Sequence, residues 1–358
     1  MKVMIAAGGT GGHIYPAVAL AEVLKERDPK TEVVFFGSNN RMESTVIPSL
    51  GYRFHGIRMF GMNGRLSAKI GSAVSMLRAE TLCRKLMQEE KPDIVVGFGN
   101  YISVPLVRAA HHFKIPTVLH EQNSYAGKAN RFLARIADKI VGCYESNLKQ
   151  FPAGKTLLLG NPEASIAAKT KWDPSILKEY GLKEDVPFVI CMMGSLGSSS
   201  VSKVIDDCLD YLGKQFNVIV ATGKSNSYTY KHDSRDNIRI VEYVDGKQML
   251  KGCALAVLRA GATTMAEIGA IGTPSILIPS PYVPNNHQYY NARELSDLDG
   301  AVLIEEKDLN AKGLADTINE LMANPERREI LRANAYRAGK RDAAEKMVDL
   351  MEELIGNE

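Results

Sequence analysis

No apolar run in this 358-residue sequence approaches the roughly 18 residues that a membrane-spanning helix needs, so any bilayer contact must be peripheral. Cysteine is scarce: Cys83, Cys143, Cys191, Cys208 and Cys253 are odd in number, scattered and free of any C-x-x-C spacing. That argues against a disulfide framework or a zinc site and points to a reduced cytoplasmic protein. The charges nearly cancel, 44 Lys+Arg against 41 Asp+Glu, and the remaining +3 is too small for a general nucleic-acid binder. The first residues enter an apolar strand at once, so no cleavable signal is expected. Metal-binding Asp-x-Asp spacing occurs only at Asp297-Leu298-Asp299, and Asp206-Asp207 falls in a predicted helix. Both read as solvated faces, and no bound metal or other cofactor is expected.

Short apolar runs alternate instead with helical stretches. "KVMIAA", "EVVFFG", "DIVVGFG", "PTVLHE" and "KIVGC" read as strands, and Pro16 to Arg27 as a helix. The pattern restarts with "FVICMMGSLG", "FNVIVATG", "IRIVEYV", "LAVLRAGA" and "PSILIP". Alternation of this kind builds covered parallel sheets. The expectation is an α/β protein of two Rossmann-like domains, residues 1–160 and 161–337, meeting near the Asn161-Pro162 turn. The charged tail predicts a C-terminal helix, 338–358, packed back on the first domain.

Two strand-to-helix turns carry the chemistry. In "GGTGGHIYPA" the bare backbone admits a ligand to a helix N-terminus, where free N–H groups favour anions. A dinucleotide fingerprint fails here, because Ile14 stands at the third glycine and "VVFFGSNN" offers no acidic residue for a ribose. His13 lies where open α/β sheets place ligands, and a neutral imidazole accepts a proton near pH 7. In the second half, Ala262, Thr263 and Thr264 open a helix after "LAVLRAG", and Glu267 follows. Glu267 is either a ribose ligand or a capping-box partner of Thr264 three residues before it.

Together, "GGTGGHIYPA", "GFGNYISVP", "HEQNSYAGKANR", "GNP", "GSLG", "RAGATTMAEI" and "NNHQYYNA" stand in one order along Val3 to about Leu309. In these the chain resembles the peptidoglycan glycosyltransferases that add N-acetylglucosamine to undecaprenyl-pyrophosphoryl-muramoyl-pentapeptide, lipid I. The resemblance implies the glycosyltransferase B-type fold, two domains facing a cleft, and an inverting transfer from UDP-N-acetylglucosamine that forms a β-1,4 bond. It assigns lipid I to the first domain and the donor to the second. Carried over by motif, Glu267 would bind the uridine ribose, and Ala262, Thr263 and Thr264 would line the diphosphate. Val244 would meet the uracil through its backbone, Ser195 would reach the donor, and His287, Gln288 and Asn291 would read the sugar. Thr10, Gly11 and Gly12 would face the acceptor pyrophosphate and the reacting centre, where with Asn123 they also count among the donor contacts. Gly8, Gly9, Tyr101 and Asn130 would complete the acceptor side, with His13 and Glu121 as the two candidate bases. Three positions depart from the family: Leu196 replaces an amide side chain, Ala164 stands where many members have arginine, and Asn100 replaces a glycine. These departures imply weaker donor binding or compensation by a neighbour such as Arg259.

Such an acceptor implies a peripheral place on the cytoplasmic face of the cell membrane, an anionic inner-membrane surface as partner, and room for cell-wall synthesis proteins. The segment Gly61 to Leu86 offers Leu66, Ile70, Val74 and Leu77 at helical spacings, with Lys69 and Arg78 among the surrounding basic residues. It reads as a basic amphipathic helix for that surface, or as a helix packed on the core. A soluble nucleotide-sugar enzyme of the same fold, a natural-product glycosyltransferase or a UDP-N-acetylglucosamine epimerase, is the alternative. It would share the ribose carboxylate without needing "HEQN" or the basic helix. A non-catalytic sugar-nucleotide binding module is the third reading, and it would tolerate loss of His13 and Glu121.

Overall fold

The computed structural model describes residues 1–60, 66–194, 198–223, 226–232 and 237–356, with backbone alone for 66–70. The chain divides into two compact units, Met1–Ser165 with Asp342–Glu358, and Ile166–Arg341. The first holds a seven-stranded, all-parallel sheet of β1 (Lys2–Ala6), β2 (Glu32–Ser38), β3 (Arg53–Ile57), β4 (Ile94–Gly97), β5 (Thr117–Glu121), β6 (Lys139–Gly142) and β7 (Thr156–Leu157). Their order is β3-β2-β1-β4-β5-β6-β7. Val3 to Ala6 are fully buried, as a central strand covered on both faces requires. The order reverses between β1 and β4, which opens a crevice at their carboxyl ends.

The second unit repeats the plan with six parallel strands: β8 (Phe188–Met192), β9 (Asn217–Ala221), β10 (Ile238–Val241), β11 (Leu255–Leu258), β12 (Ser275–Leu277) and β13 (Val302–Leu303). Their order is β10-β9-β8-β11-β12-β13, so the switch lies between β8 and β11. The fold is therefore two Rossmann-like α/β units, each with its own core.

The last helix, Ala343–Gly356, belongs to the first unit and lies against the helix Gly11–Arg27. Its Met347, Val348 and Met351 are buried. Arg27 Nη1 pairs with Asp349 at 2.5 Å and Glu352 at 3.1 Å, while Ser165 Oγ donates to Glu345 at 2.6 Å. The helix Gly11–Arg27 begins five residues before the predicted Pro16, because Thr10 is extended and its carbonyl takes the His13 and Ile14 amides. Gly11, Gly12 and His13 are thus the first turn of the helix.

The Asp206-Asp207 pair is not a solvated face. Asp206 is fully buried and accepts from Tyr228 Oη at 2.8 Å, the Lys231 amide at 2.8 Å and His232 Nδ1 at 2.6 Å. His232 Nε2 meets Asp210 at 2.9 Å, so one ring bridges two carboxylates and ties segment 226–232 to the helix Ser199–Cys208. Lys231 Nζ pairs with Asp207 at 3.1 Å beside it. Asp297 and Asp299 are engaged separately, by Arg293 at 2.8 Å and Arg327 at 2.6 Å.

The hydrogen bond to Asp206 outweighs partial burial and raises the His232 pKa. Burial works against Asp206, but these hydrogen bonds, with a further one from the His232 amide at 3.3 Å, hold it below the usual carboxylate value. The bridge is complete below the ordinary imidazole range near ~6.5 and weakens as pH rises through the elevated His232 value. It fails on the acid side only as Asp206 protonates. The Lys231 and His232 amides should therefore exchange faster at about pH 9 than at about pH 6, after correction for intrinsic rates, and His232→Asn should abolish that difference. Packing makes a second prediction in this unit. A Cβ on Gly339 would collide with the Gly269 carbonyl on the helix Ala262–Ile271. Gly339→Ala should cost about 1–3 kcal/mol, read as a lower Tm.

Candidate active site

In the first unit, β1 runs into Ala7, Gly8, Gly9 and Thr10, and the helix starts at Gly11. The Gly11 and Gly12 amides precede the first intrahelical bond and lie at the positive end of the helix. Thr10 Oγ1 sits 2.9 Å from His13 Nδ1. With Nδ1–H donating to that hydroxyl, Nε2 carries the basic lone pair. A Cβ built on Gly99, in the loop after β4, would lie 3.6 Å from the His13 ring and 3.2 Å from Asn130 Nδ2. The segments after β1, β4 and β5 therefore bring His13, Gly99 and Asn130 to one spot at the switch point.

Glu121, the last residue of β5, is buried. One oxygen accepts from the Asn123 amide at 3.1 Å, and the other from the Gly127 amide and Asn130 Nδ2, both at 2.9 Å. Burial pushes its pKa up against those hydrogen bonds. Its oxygens organise the "HEQNSYAG" loop. Asn130 Nδ2 also donates to His120 O at 3.0 Å, which leaves Asn130 Oδ1 buried without a partner among the described residues. Tyr101 Oη is in the same condition. Two orphaned polar atoms beside a glycine turn are what a polar ligand would satisfy. Glu43 was missed by sequence reasoning. It is fully buried, and its oxygens take the Gly9 and Ser38 amides, each at 3.0 Å. It opens the helix Glu43–Ser49, five residues past the end of β2, where in sequence it resembles an ordinary first-turn acid.

In the second unit, the helix Ala262–Ile271 follows β11 with Gly261 as its cap, so Thr264 lies inside the helix. The capping-box account of Glu267 is thereby excluded. The amides of Ala262, Thr263 and Thr264 head the helix, and Thr263 Oγ1 is buried without a partner among the described residues. Glu267 is partly buried, with Lys247 Nζ 3.8 Å from its Oε1. Val244 is buried just before the helix Gly246–Gly252. After β12, Asn285 and Asn286 take left-handed backbone (φ 56° and 51°) and swing the chain into the helix His287–Ser296. Gln288 Oε1 accepts the Ser280 amide at 2.9 Å, and the fully buried Asn291 donates to Ala260 O at 3.3 Å. His287 Nδ1 lies 2.9 Å from Pro284 O, and burial lowers its pKa. Ser195 and Leu196 lie outside the described residues, and Ala164 is buried. Arg259 is buried and engaged within its own unit. Its guanidinium is committed to Ile278 O at 3.0 Å, Ser198 Oγ at 2.7 Å and Glu306 at 2.8 Å.

The helix Leu66–Glu90 turns Ala79, Cys83, Leu86 and Met87 into the core of the first unit, while Val74 and Leu77 are 43% and 65% exposed. Those two are therefore not part of its packing face. Arg78 is exposed beside them, and Arg58 and Phe60 line the same groove as Val74. A second groove is lined by Arg84, Arg108, His111, Arg131 and Arg135 around the single acid Glu80. The side chains of Leu66, Lys69 and Ile70 lie outside the described residues. No described helix is long and apolar enough to cross a membrane.

The two units match two family models: residues 3–141 the glycosyltransferase family 28 N-terminal domain, and residues 188–347 its C-terminal domain. The chain is 37% identical to the UDP-N-acetylglucosamine--N-acetylmuramyl-(pentapeptide) pyrophosphoryl-undecaprenol N-acetylglucosamine transferase of Pediococcus pentosaceus, over 99% of each chain. It is 38% identical to the enzyme of that name from Leuconostoc citreum, over 100% of this chain and 99% of the other. Among solved structures, Acinetobacter baumannii MurG superposes with a TM-score of 0.77 at 25% identity, covering 98% of this chain and 99% of that one. With matches of this extent over both units, the chain belongs to the pyrophosphoryl-undecaprenol N-acetylglucosamine transferases of glycosyltransferase family 28.

Proposed function

We propose that this chain moves N-acetylglucosamine from UDP-N-acetylglucosamine to the 4-hydroxyl of the muramoyl sugar in lipid I, with the first unit holding the acceptor and the second the donor. One observation carries the reading. Each sheet presents free helix amides at its switch point, the first beside His13 held by Thr10, the second on the helix that bears Glu267. His13 Nε2 takes the hydroxyl proton as that oxygen attacks the anomeric carbon. The bond to the UDP oxygen breaks as the new one forms, with inversion, and the amides of residues 262–264 stabilise the leaving diphosphate. Glu267 accepts from the ribose hydroxyls. Glu121, its oxygens occupied, holds the Asn123 and Asn130 loop for the acceptor. No step in this scheme calls for a soluble acceptor, and full-length likeness to lipid-acceptor transferases favours it over the epimerase alternative.

The scheme is tested with purified protein, UDP-N-acetylglucosamine and a short-chain lipid I analogue. His13→Ala should lower kcat by at least about a hundredfold with donor KM little changed, and Glu121→Ala should cost less. Glu267→Ala should raise donor KM at least about tenfold, from loss of charge-assisted hydrogen bonds worth roughly 1.5–3 kcal/mol each. An unchanged donor KM removes the ribose assignment. A larger loss in Glu121→Ala than in His13→Ala moves the base elsewhere.

For the membrane, exposed Val74 and Leu77 with Arg58, Arg78 and the arginine-lined groove support peripheral binding to an anionic cytoplasmic surface. Val74→Ser with Leu77→Ser should weaken liposome binding while sparing turnover of a water-soluble acceptor. Binding equal to wild type would exclude this face.

A further inference from the structure

The peptide bond between Gly8 and Gly9 is held at both of its polar ends. Its carbonyl, on Gly8, accepts from Asn100 Nδ2 at 3.3 Å. Its N–H, on Gly9, donates to Glu43 Oε2 at 3.0 Å. In a trans peptide these two groups point in opposite directions, so the pair grips the plane from two sides and fixes its rotation. Each jaw is itself anchored. Glu43 Oε1 accepts the Ser38 amide at the end of β2, and Asn100 Oδ1 accepts the Tyr101 amide at 2.6 Å in the turn after β4. The grip therefore spans the three adjacent strands β2, β1 and β4 at the switch point. It also explains the glycine pair. A Cβ on Gly8 would collide with the Glu43 carboxylate, and one on Gly9 (φ +86°) with the Asn100 amide.

Neither jaw follows from folding needs alone. Glu43 is a fully buried carboxylate with no cation against it among the described residues, an arrangement that desolvation penalises. Asn100 holds left-handed backbone at φ 65°, where glycine would be relaxed. We propose that Glu43 and Asn100 are positioning residues for the transfer: they lock the Gly8–Gly9 peptide and so set the path of the chain into Thr10 and His13. The Gly9 amide is consequently committed to Glu43, and the acceptor meets the amides of Gly11 and Gly12. A Gly-Gly peptide without the grip rotates readily, and a misplacement of about 1 Å at a reacting group is enough to cost about a hundredfold in rate.

This inference rests on the assignment of His13 to the reaction, and its test separates the two. Full-length wild type, Asn100→Gly, Asn100→Asp and Glu43→Gln are compared for kcat and both KM values, Tm, and exchange of the 15N-labelled Gly9 amide. Asn100→Gly removes a donor while relaxing the backbone, so a purely structural role predicts an equal or higher Tm with unchanged kinetics. The positioning role predicts an equal or higher Tm with kcat lowered about fivefold or more and donor KM within about twofold. Asn100→Asp keeps the shape but turns an acceptor toward the Gly8 carbonyl, and should lower kcat further. Glu43→Gln should lower kcat and speed Gly9 exchange at least about tenfold. Wild-type kcat in both Asn100 variants, or unchanged Gly9 exchange in all three, overturns the proposal. If Glu43→Gln does not fold, the two Asn100 variants decide it. If wild type itself fails to turn over the analogue, the functional reading falls, and unaltered Gly9 exchange would still overturn the grip.

Discussion

The constraint on which the rest depends is that helix amides must remain uncovered where each parallel sheet reverses its strand order. A buried N–H without a partner is expensive, and most of a protein is arranged to avoid one. Here Gly11, Gly12, Ala262, Thr263 and Thr264 head helices that no side chain caps. Surrounding groups are spent on holding the loops open. Glu43 and Asn100 grip the first turn, Glu121 braces the loop after β5, and Arg259 with Glu306 pins the ends of β11 and β12. Glu43, Glu121 and Arg259 thus serve the scaffold, while the helix N-termini carry no side-chain cap from Thr10 or Gly261.

That division of labour separates what could be read along the chain from what could not. The strands β1, β2, β4, β5 and β6, and β8, β9, β11 and β12 in the second half, are legible because burial on both faces imposes continuous apolar runs. β3 and β7 lie at the edge of their sheet, where burial is incomplete, and they left no comparable run. His13, Glu121 and Glu267 are legible because they sit at fixed distances from a glycine turn or a helix start. Their partners are not. Glu43 has the ordinary appearance of a first-turn acid, and only the approach of β1 to β2 turns it toward Gly9. Asp206 has the helical spacing of a surface residue, and its burial depends on segment 226–232 folding over it. Arg259 has the charge to bind a phosphate, and Glu306, remote in sequence, commits that charge elsewhere.

Asn100 and Ala164 have definite surroundings in the fold. Asn100 holds left-handed backbone, and its side chain donates to the Gly8 carbonyl. Ala164 is buried in the helix Glu163–Lys169, where a long cationic chain would need another route to solvent.

The return of the last helix to the first unit has a bearing on how the molecule is made. Residues Ile166–Arg341 form their unit from one continuous stretch, whereas the other unit is completed only by Asp342–Glu358. On a ribosome, which releases the chain from its N-terminus, the later unit can close on itself while the earlier one still lacks the helix that covers Gly11–Arg27. The apolar residues Met347, Val348 and Met351 then arrive last, onto a surface exposed throughout synthesis. Order of appearance and order of completion are reversed, and the half that emerges first is the one in need of protection longest.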